Sequence, residues 1–362
     1  MMEDTLAIRL DPSGAESLPL GRLLQLAERR LVEENVLARA SRSKLYSGRW
    51  RRLGVRPERV HDMAQLQALP YTDADDWLAA QGSGSISGFV AERARLWVSS
   101  RGKTRKWVPL GDVDLRRMMG LALRLSAMIG VGPRERILAI TEPAPRIGNC
   151  VPYFLAMADM VAGGLHLEMI SGSVTMLGRN NWPEFAAERR PQVLWGHSDD
   201  VRALADALGA AGKDPAALYP DLRVLLCFGA PLEPARADLQ RLFGVNPLSC
   251  YLSAELPYLQ AECAPGTGVH LWLDVTIPEI IPTSELCREK SAPGYVPMAL
   301  FIADAPEGTA GEYVVTTFGQ SLPLIRYRSG DRVQLVGKGA CVCGRTHPRV
   351  RFLGRITAES GA

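Results

Sequence analysis

From residue 137 to residue 243 the sequence repeats one pattern: a short apolar run, a break at glycine or a polar residue, then a helical stretch. The runs 137–141, 165–170, 193–196 and 222–228 are rich in Ile, Leu and Val and too short to be helices. Helical spacing follows at 153–161, 199–208 and 234–243; Ser198 is placed to cap the second, and Gly163-Gly164 and Gly229 break the chain beside strand ends. Buried strands alternating with helices specify a parallel sheet covered by helices. Ligands of such a sheet sit beyond the carboxyl ends of its strands. Thr141, His197, Gly229-Ala230 and the Tyr251 region are therefore expected to share one crevice.

Before this block, residues 22–39 place Leu23, Leu26, Ala27, Leu31 and Leu37 on one helical face, and short helices and turns follow to about residue 89. Two short strands, 96–98 and one ending at Leu110, flank a basic loop, and Asp112 is a plausible cap for a long helix that stops near Gly130. After residue 262 the helical patterns disappear, and the runs 270–273, 312–317, 324–327 and 333–335 read as half-exposed strands between Gly and Pro turns. The expectation is an α/β fold of helix-flanked, mainly parallel sheets followed by a small antiparallel β subdomain. Its divisions are 1–95 (N-terminal helical region), 96–262 (α/β core), 263–356 (β subdomain) and 357–362 (tail).

Composition narrows the function. A net charge of +3 in 362 residues argues against nucleic acid or an acidic membrane surface as partner. No apolar run approaches the roughly 20 residues that span a bilayer. The early acids of the first residues do not make a secretory signal, and seven scattered cysteines suit a reducing cytoplasm. Two pairs of metal-ligand type stand out: Cys341 with Cys343, and Cys263 with His270. Three sulfurs and one imidazole make a closed tetrahedral zinc site of structural type. Four reduced side chains without metal are the other reading, and His347 is an alternative ligand.

Four segments occur in order: Val98-Ser-Ser-Arg-Gly-Lys-Thr-Arg-Lys106, Phe228-Gly-Ala-Pro-Leu232, Tyr251-Leu-Ser-Ala-Glu255 and Leu324-Ile-Arg-Tyr-Arg-Ser-Gly-Asp331. With the tail CVCGRTHPRVRFLGR and the stretch from Ala261-Glu-Cys to His270-Leu-Trp, they resemble the phenylacetate–CoA ligase-like branch of the adenylate-forming superfamily over about residues 45–356. The resemblance implies ATP and Mg2+ as cosubstrate and cofactor, a small, aromatic carboxylic acid as substrate, and transfer through AMP-bound acyl to CoA or an acyl carrier protein. It assigns Gly229, Ala230, Pro231 and Tyr251 to the adenine ring, Asp331 to the ribose hydroxyls, Glu255 to magnesium, and Ser99, Ser100 and Lys103 to phosphate. Some relatives carry a structural zinc at positions matching Cys263, His270, Cys341 and Cys343. His197, at a strand end, is the candidate for substrate contact or proton transfer, or a structural histidine; Tyr153, Phe154 and Trp195 are candidates for an aryl pocket or for core.

Two departures bear on activity. Relatives carry a loop like Ser-Ser-Gly-Thr-Thr-Gly-Lys-Pro, whose glycines let backbone amides wrap pyrophosphate. Here Arg101 replaces the first glycine, and Arg101, Lys103, Arg105 and Lys106 offer side-chain charge instead. Gly354-Arg355 resembles the start of the family hinge, but no lysine follows Lys338, so the resemblance implies loss of the mobile C-terminal domain and its catalytic lysine. Three expectations follow: an AMP-forming ligase, an ATP-independent acyltransferase from CoA to a carrier protein, or a catalytically silent nucleotide- or partner-binding homologue. A separate C-terminal domain acting in trans and a homodimer are further expected partners.

Overall fold

The computed structural model describes residues 14–82, 89–90, 93–99, 106–140, 147–162, 164–178, 181–256 and 258–356. The chain forms two compact units, Arg117–Val269 on the one hand, and Gly14–Arg116 with the stretch from His270 onward on the other.

The first unit is built on a six-stranded sheet. In spatial order its strands are Glu168–Gly172, Arg136–Ile140, Val193–His197, Val224–Phe228, Pro247–Tyr251 and Gln260–Ala261. The first five run parallel and the last antiparallel. Side chains alternate across the sheet with the two-residue period of a strand. Leu138, Ile140, Leu194, Leu225 and Cys227 face one side, where Trp182, Val201, Leu204, Leu208, Leu239 and Phe243 of three helices cover them. Ile137, Val193, Trp195 and Leu226 face the other, against Leu125, Ile129, Val151 and Leu155. Burial on both faces explains why these strands read as continuous apolar runs.

One strand starts later than its apolar run suggests, at Glu168 rather than 165. The Asp159 carboxylate accepts hydrogen bonds from the N–H groups of Leu165 and Leu167, both 2.9 Å, and His166 adopts φ 51°, so these residues stay out of the ladder.

The second unit carries an antiparallel sheet of order 300–301, 276–282, 310–317, 327–337, 349–355, 269–270. Along Tyr327–Gly337 buried and half-buried residues alternate strictly, as a sheet with one covered face requires. The N-terminal helices Leu20–Glu33, Val36–Ala40, Lys44–Leu53 and Ala74–Gly82 belong to this unit. Thr72 pairs with Tyr327, and the Tyr46 hydroxyl accepts the N–H of Ile325 at 2.8 Å. Arg326 is 4% exposed; its guanidinium meets Glu279 at 2.9 and 3.0 Å and also donates to the carbonyls of Gln67 and Leu69. Burial pushes the Glu279 carboxyl up, and Arg326 opposes that shift.

Two elements of this unit differ from the expectation. Residues Thr283–Ser291 are helical although helices were expected to cease after 262, and Thr276–Pro282 is a strand that its two prolines concealed. Leu96–Ser99 and Trp107–Leu110 are the two short strands expected there, and they pair antiparallel. No helix among the described residues is long and apolar enough to cross a membrane.

Candidate functional site

In the first unit, the strand order reverses between Arg136–Ile140 and Val193–His197, since the strand that follows in sequence lies on the far side of the first. Such a reversal opens a crevice at the carboxyl ends. His197 ends the strand at that point, and Gly229 and Tyr251 stand at the ends of the next two. Thr141 lies outside the described residues. Glu255 follows Tyr251 by four residues and is half-buried.

His197 is held closely. Its Nδ1 accepts the Asp199 N–H at 3.3 Å, capping the helix Ser198–Ala210, and its ring meets Phe228 edge-on at 5.6 Å between centroids. Gly229 has φ +88°, and a Cβ there would stand 2.2 Å from the His197 ring. The imidazole thus occupies the space a side chain on Gly229 would need. His197 serves here as cap and packing partner. The aryl-pocket residues also divide. Phe154 and Trp195 are buried core, and Tyr153 is 46% exposed with its hydroxyl 3.2 Å from Ser171 Oγ. The void beside Trp195 holds about 20 Å³, far below the roughly 150 Å³ that accommodates a benzene ring.

In the second unit, Ser99 ends its strand, while Ser100, Arg101, Gly102, Lys103 and Arg105 lie outside the described residues. Lys106, read as a phosphate-facing cation, is instead buried: its Nζ is 3.1 Å from the Tyr327 hydroxyl. Tyr327 offers the amine a hydrogen-bond acceptor and a ring face 5.8 Å away, which together draw the charge inward.

Asp331 sits mid-strand with its side chain 11% exposed. Register sets it opposite Arg355, whose Nη1 donates to Asp331 Oδ1 at 2.7 Å and to the Ser329 carbonyl at 2.9 Å. The guanidinium passes 3.1 Å from where a Cβ on Gly330 would be, and Gly330 itself adopts φ +71°. Below it Arg328 binds Glu289 and Glu312. Burial works against the Arg328 charge, but the hydrogen bonds with Glu289 and Glu312 outweigh it and push its pKa up. Sequence reasoning missed the Arg355–Asp331 pair. Its signal is the strand register, which cannot be read locally.

The same unit gathers His270, Cys341 and Cys343 with their ligand atoms within 4.8 Å of one another, and His270 Nε2 stands 3.6 Å from Cys343 Sγ. A tetrahedral zinc site with sulfur at about 2.3 Å and nitrogen at about 2.0–2.1 Å spaces such atoms by about 3.5–3.8 Å. A tight turn presents the thiols: Cys341 N–H donates to the Arg345 carbonyl and Gly344 N–H to the Cys341 carbonyl, at 2.7 and 2.8 Å. His270 is fully buried, and burial, then the charge of Arg349, pushes its pKa down to about 3. The ring is therefore neutral, as a ligand must be. Cys263 belongs to the first unit, where Glu262 and Val269 pair antiparallel. Cys227 and Cys250 are buried in strands, and burial pushes the Cys227 thiol up to about 12 and the Cys250 thiol further in the same direction, so neither is a nucleophile.

No family model matches the chain. The phenylacetate-coenzyme A ligase of Thermus thermophilus is 27% identical over 355 residues, covering 94% of this chain and 72% of that protein. The chain is thus similar to a phenylacetate-coenzyme A ligase along nearly its whole length. Its fold also matches solved structures. The open conformation of 2-hydroxyisobutyryl-CoA ligase, in complex with 2-HIB-AMP and CoA, superposes with a TM-score of 0.76 at 18% identity, over 95% of this chain and 72% of that one. The GH3.15 acyl acid amido synthetase superposes with 0.61 at 16% identity, over 93% and 70%.

Proposed function

We propose that the protein uses ATP to convert a small carboxylic acid, aromatic in class, into an acyl-adenylate and passes the acyl group to the thiol of CoA. The observation that carries this reading is the 27% identity with a phenylacetate-coenzyme A ligase along nearly the whole chain. In this reading Gly229, Ala230 and Pro231 give the adenine a flat backbone edge, and Tyr251 stacks on it. Asp331 accepts hydrogen bonds from the ribose hydroxyls, and Ser99, Ser100 and Lys103 meet phosphate. Glu255 would hold magnesium, which neutralises phosphate charge when bound.

We also propose that His270, Cys341 and Cys343, with Cys263, hold a structural zinc. The closely spaced set of one neutral imidazole and two thiols supports it.

Acid-dependent exchange of pyrophosphate into ATP tests adenylation directly, with phenylacetate and related acids on the purified full chain. Exchange is expected, and Asp331→Ala should reduce kcat/KM by about 10- to 100-fold, since hydrogen bonds to a charged group contribute roughly 1.5–3 kcal/mol. Absence of exchange with every acid overturns the ligase. One observation favours a second reading, an acyltransferase from CoA to a carrier protein: Lys106, a cation of the phosphate loop by sequence, is committed to Tyr327. Acyl transfer from CoA to a carrier without exchange would establish it.

A further inference from the structure

Charge in this protein is unevenly spread. Residues 42–59 hold seven basic side chains and one acidic one, +6 in 18 residues, whereas the whole chain carries +3. Arg49 is neutralised by Asp76. Arg42, Arg51, Arg52, Arg56 and Arg59 are exposed, and among the described residues none of these five makes an ion pair.

The same segment forms a wall of an apolar groove of about 530 Å³. Leu53 and Val55 line it together with Pro70, Tyr71, Val296 and Met298, all within the second unit. Leu53, Val296 and Met298 are 56%, 71% and 64% exposed, an apolar cluster that water covers at a cost. The polar groups around it are already engaged. Tyr71 donates its hydroxyl to the Pro297 carbonyl at 2.9 Å, Gln67 donates to the Ala299 carbonyl at 2.7 Å, and Arg326 is paired with Glu279. The groove therefore asks for an apolar occupant, and the exposed arginines that neighbour Leu53 and Val55 in sequence for a negative one.

We propose that this surface docks an acidic amphipathic helix of a partner protein, with apolar side chains in the groove and carboxylates against Arg51, Arg52, Arg56 and Arg59. An amphipathic helix presents both faces at once, apolar at i, i+3/i+4 and i+7 and charged beside them. Nucleic acid matches the arginines but offers nothing to the aliphatic groove. A flat anionic bilayer does not enter a concave one. A second copy docking through the same patch would set arginines against arginines.

The test uses the full chain and a synthetic helical peptide with leucines at i, i+3/i+4 and i+7 and glutamates elsewhere, followed by fluorescence anisotropy. A glutamate-to-lysine version of the peptide, phosphatidylglycerol vesicles and duplex DNA are the competing probes. The acidic peptide is expected to bind, more weakly as salt rises, and the basic peptide not to bind. R51E/R52E/R56E/R59E should weaken binding at least about tenfold, and V296D/M298D by a similar factor. These side chains are largely exposed, and R51Q/R52Q/R56Q/R59Q replaces the reversal if its melting curve shows misfolding. No binding of the acidic peptide, tighter binding of DNA or vesicles, or indifference to V296D/M298D overturns the proposal.

Discussion

Gly229 has a hydrogen where any other residue would push a methyl or methylene into the His197 ring. Its φ of +88° adds backbone strain to that collision for a side chain. Gly229→Ala should destabilise the protein by roughly 1–3 kcal/mol in urea unfolding, and His197→Ala in the same chain should recover part of the loss. Additive costs would show that the two residues are not packed against each other. Arg326 and Glu279 make a second residue-scale case. Removing one partner of a buried pair leaves the other charge stranded, at a cost of about 3–5 kcal/mol. Arg326→Met should cost that much, and Arg326→Met with Glu279→Leu considerably less, by the same unfolding measurement. Legibility at this scale was uneven. Asp331 stands in a run of neighbours that is recognisable in sequence, whereas its partner Arg355, 24 residues on, is set by register. Lys106 was misread because sequence shows a charge but not the tyrosine that draws it inward.

The turn Cys341–Arg345 is an element whose geometry serves a few side chains. It sets two thiols close to the His270 imidazole, whose Nδ1 is buried. Purified protein should contain about one zinc per chain, and C341S/C343S should abolish it. Chelation should lower Tm by roughly 5 °C or more, at about 2–4 °C per kcal/mol for a domain this large. Metal content near zero, or unchanged in the double variant, would remove the site. Elements with strong periodicity were legible: the parallel strands and the helices between them follow the apolar runs. Thr276–Pro282 was not, because Pro278 and Pro282 argue against a central strand. Nor was Thr283–Ser291, whose nine residues TSELCREKS carry no apolar stripe.

For the whole molecule, motif order pointed to the fold class, because each motif marks a strand end or a turn that the topology needs. How the chain is apportioned was not legible. Local patterns assign neighbours in sequence to neighbours in space, yet the N-terminal helices share a unit with strands some 200 residues later. Their contacts, such as Tyr46 with Ile325 and Thr72 with Tyr327, leave no periodic trace.

That apportionment has a consequence for biosynthesis. Translation releases residues 14–116 first, with Tyr46, Leu66 and Trp77, all buried in the finished protein, still lacking the strands that cover them. The stretch 117–269 follows as a self-contained unit and can close as soon as it has emerged. This earlier segment is therefore completed late. It must wait, apolar side chains uncovered, until residues 325–337, where Ile325 meets Tyr46 and Tyr327 meets Trp77, leave the ribosome.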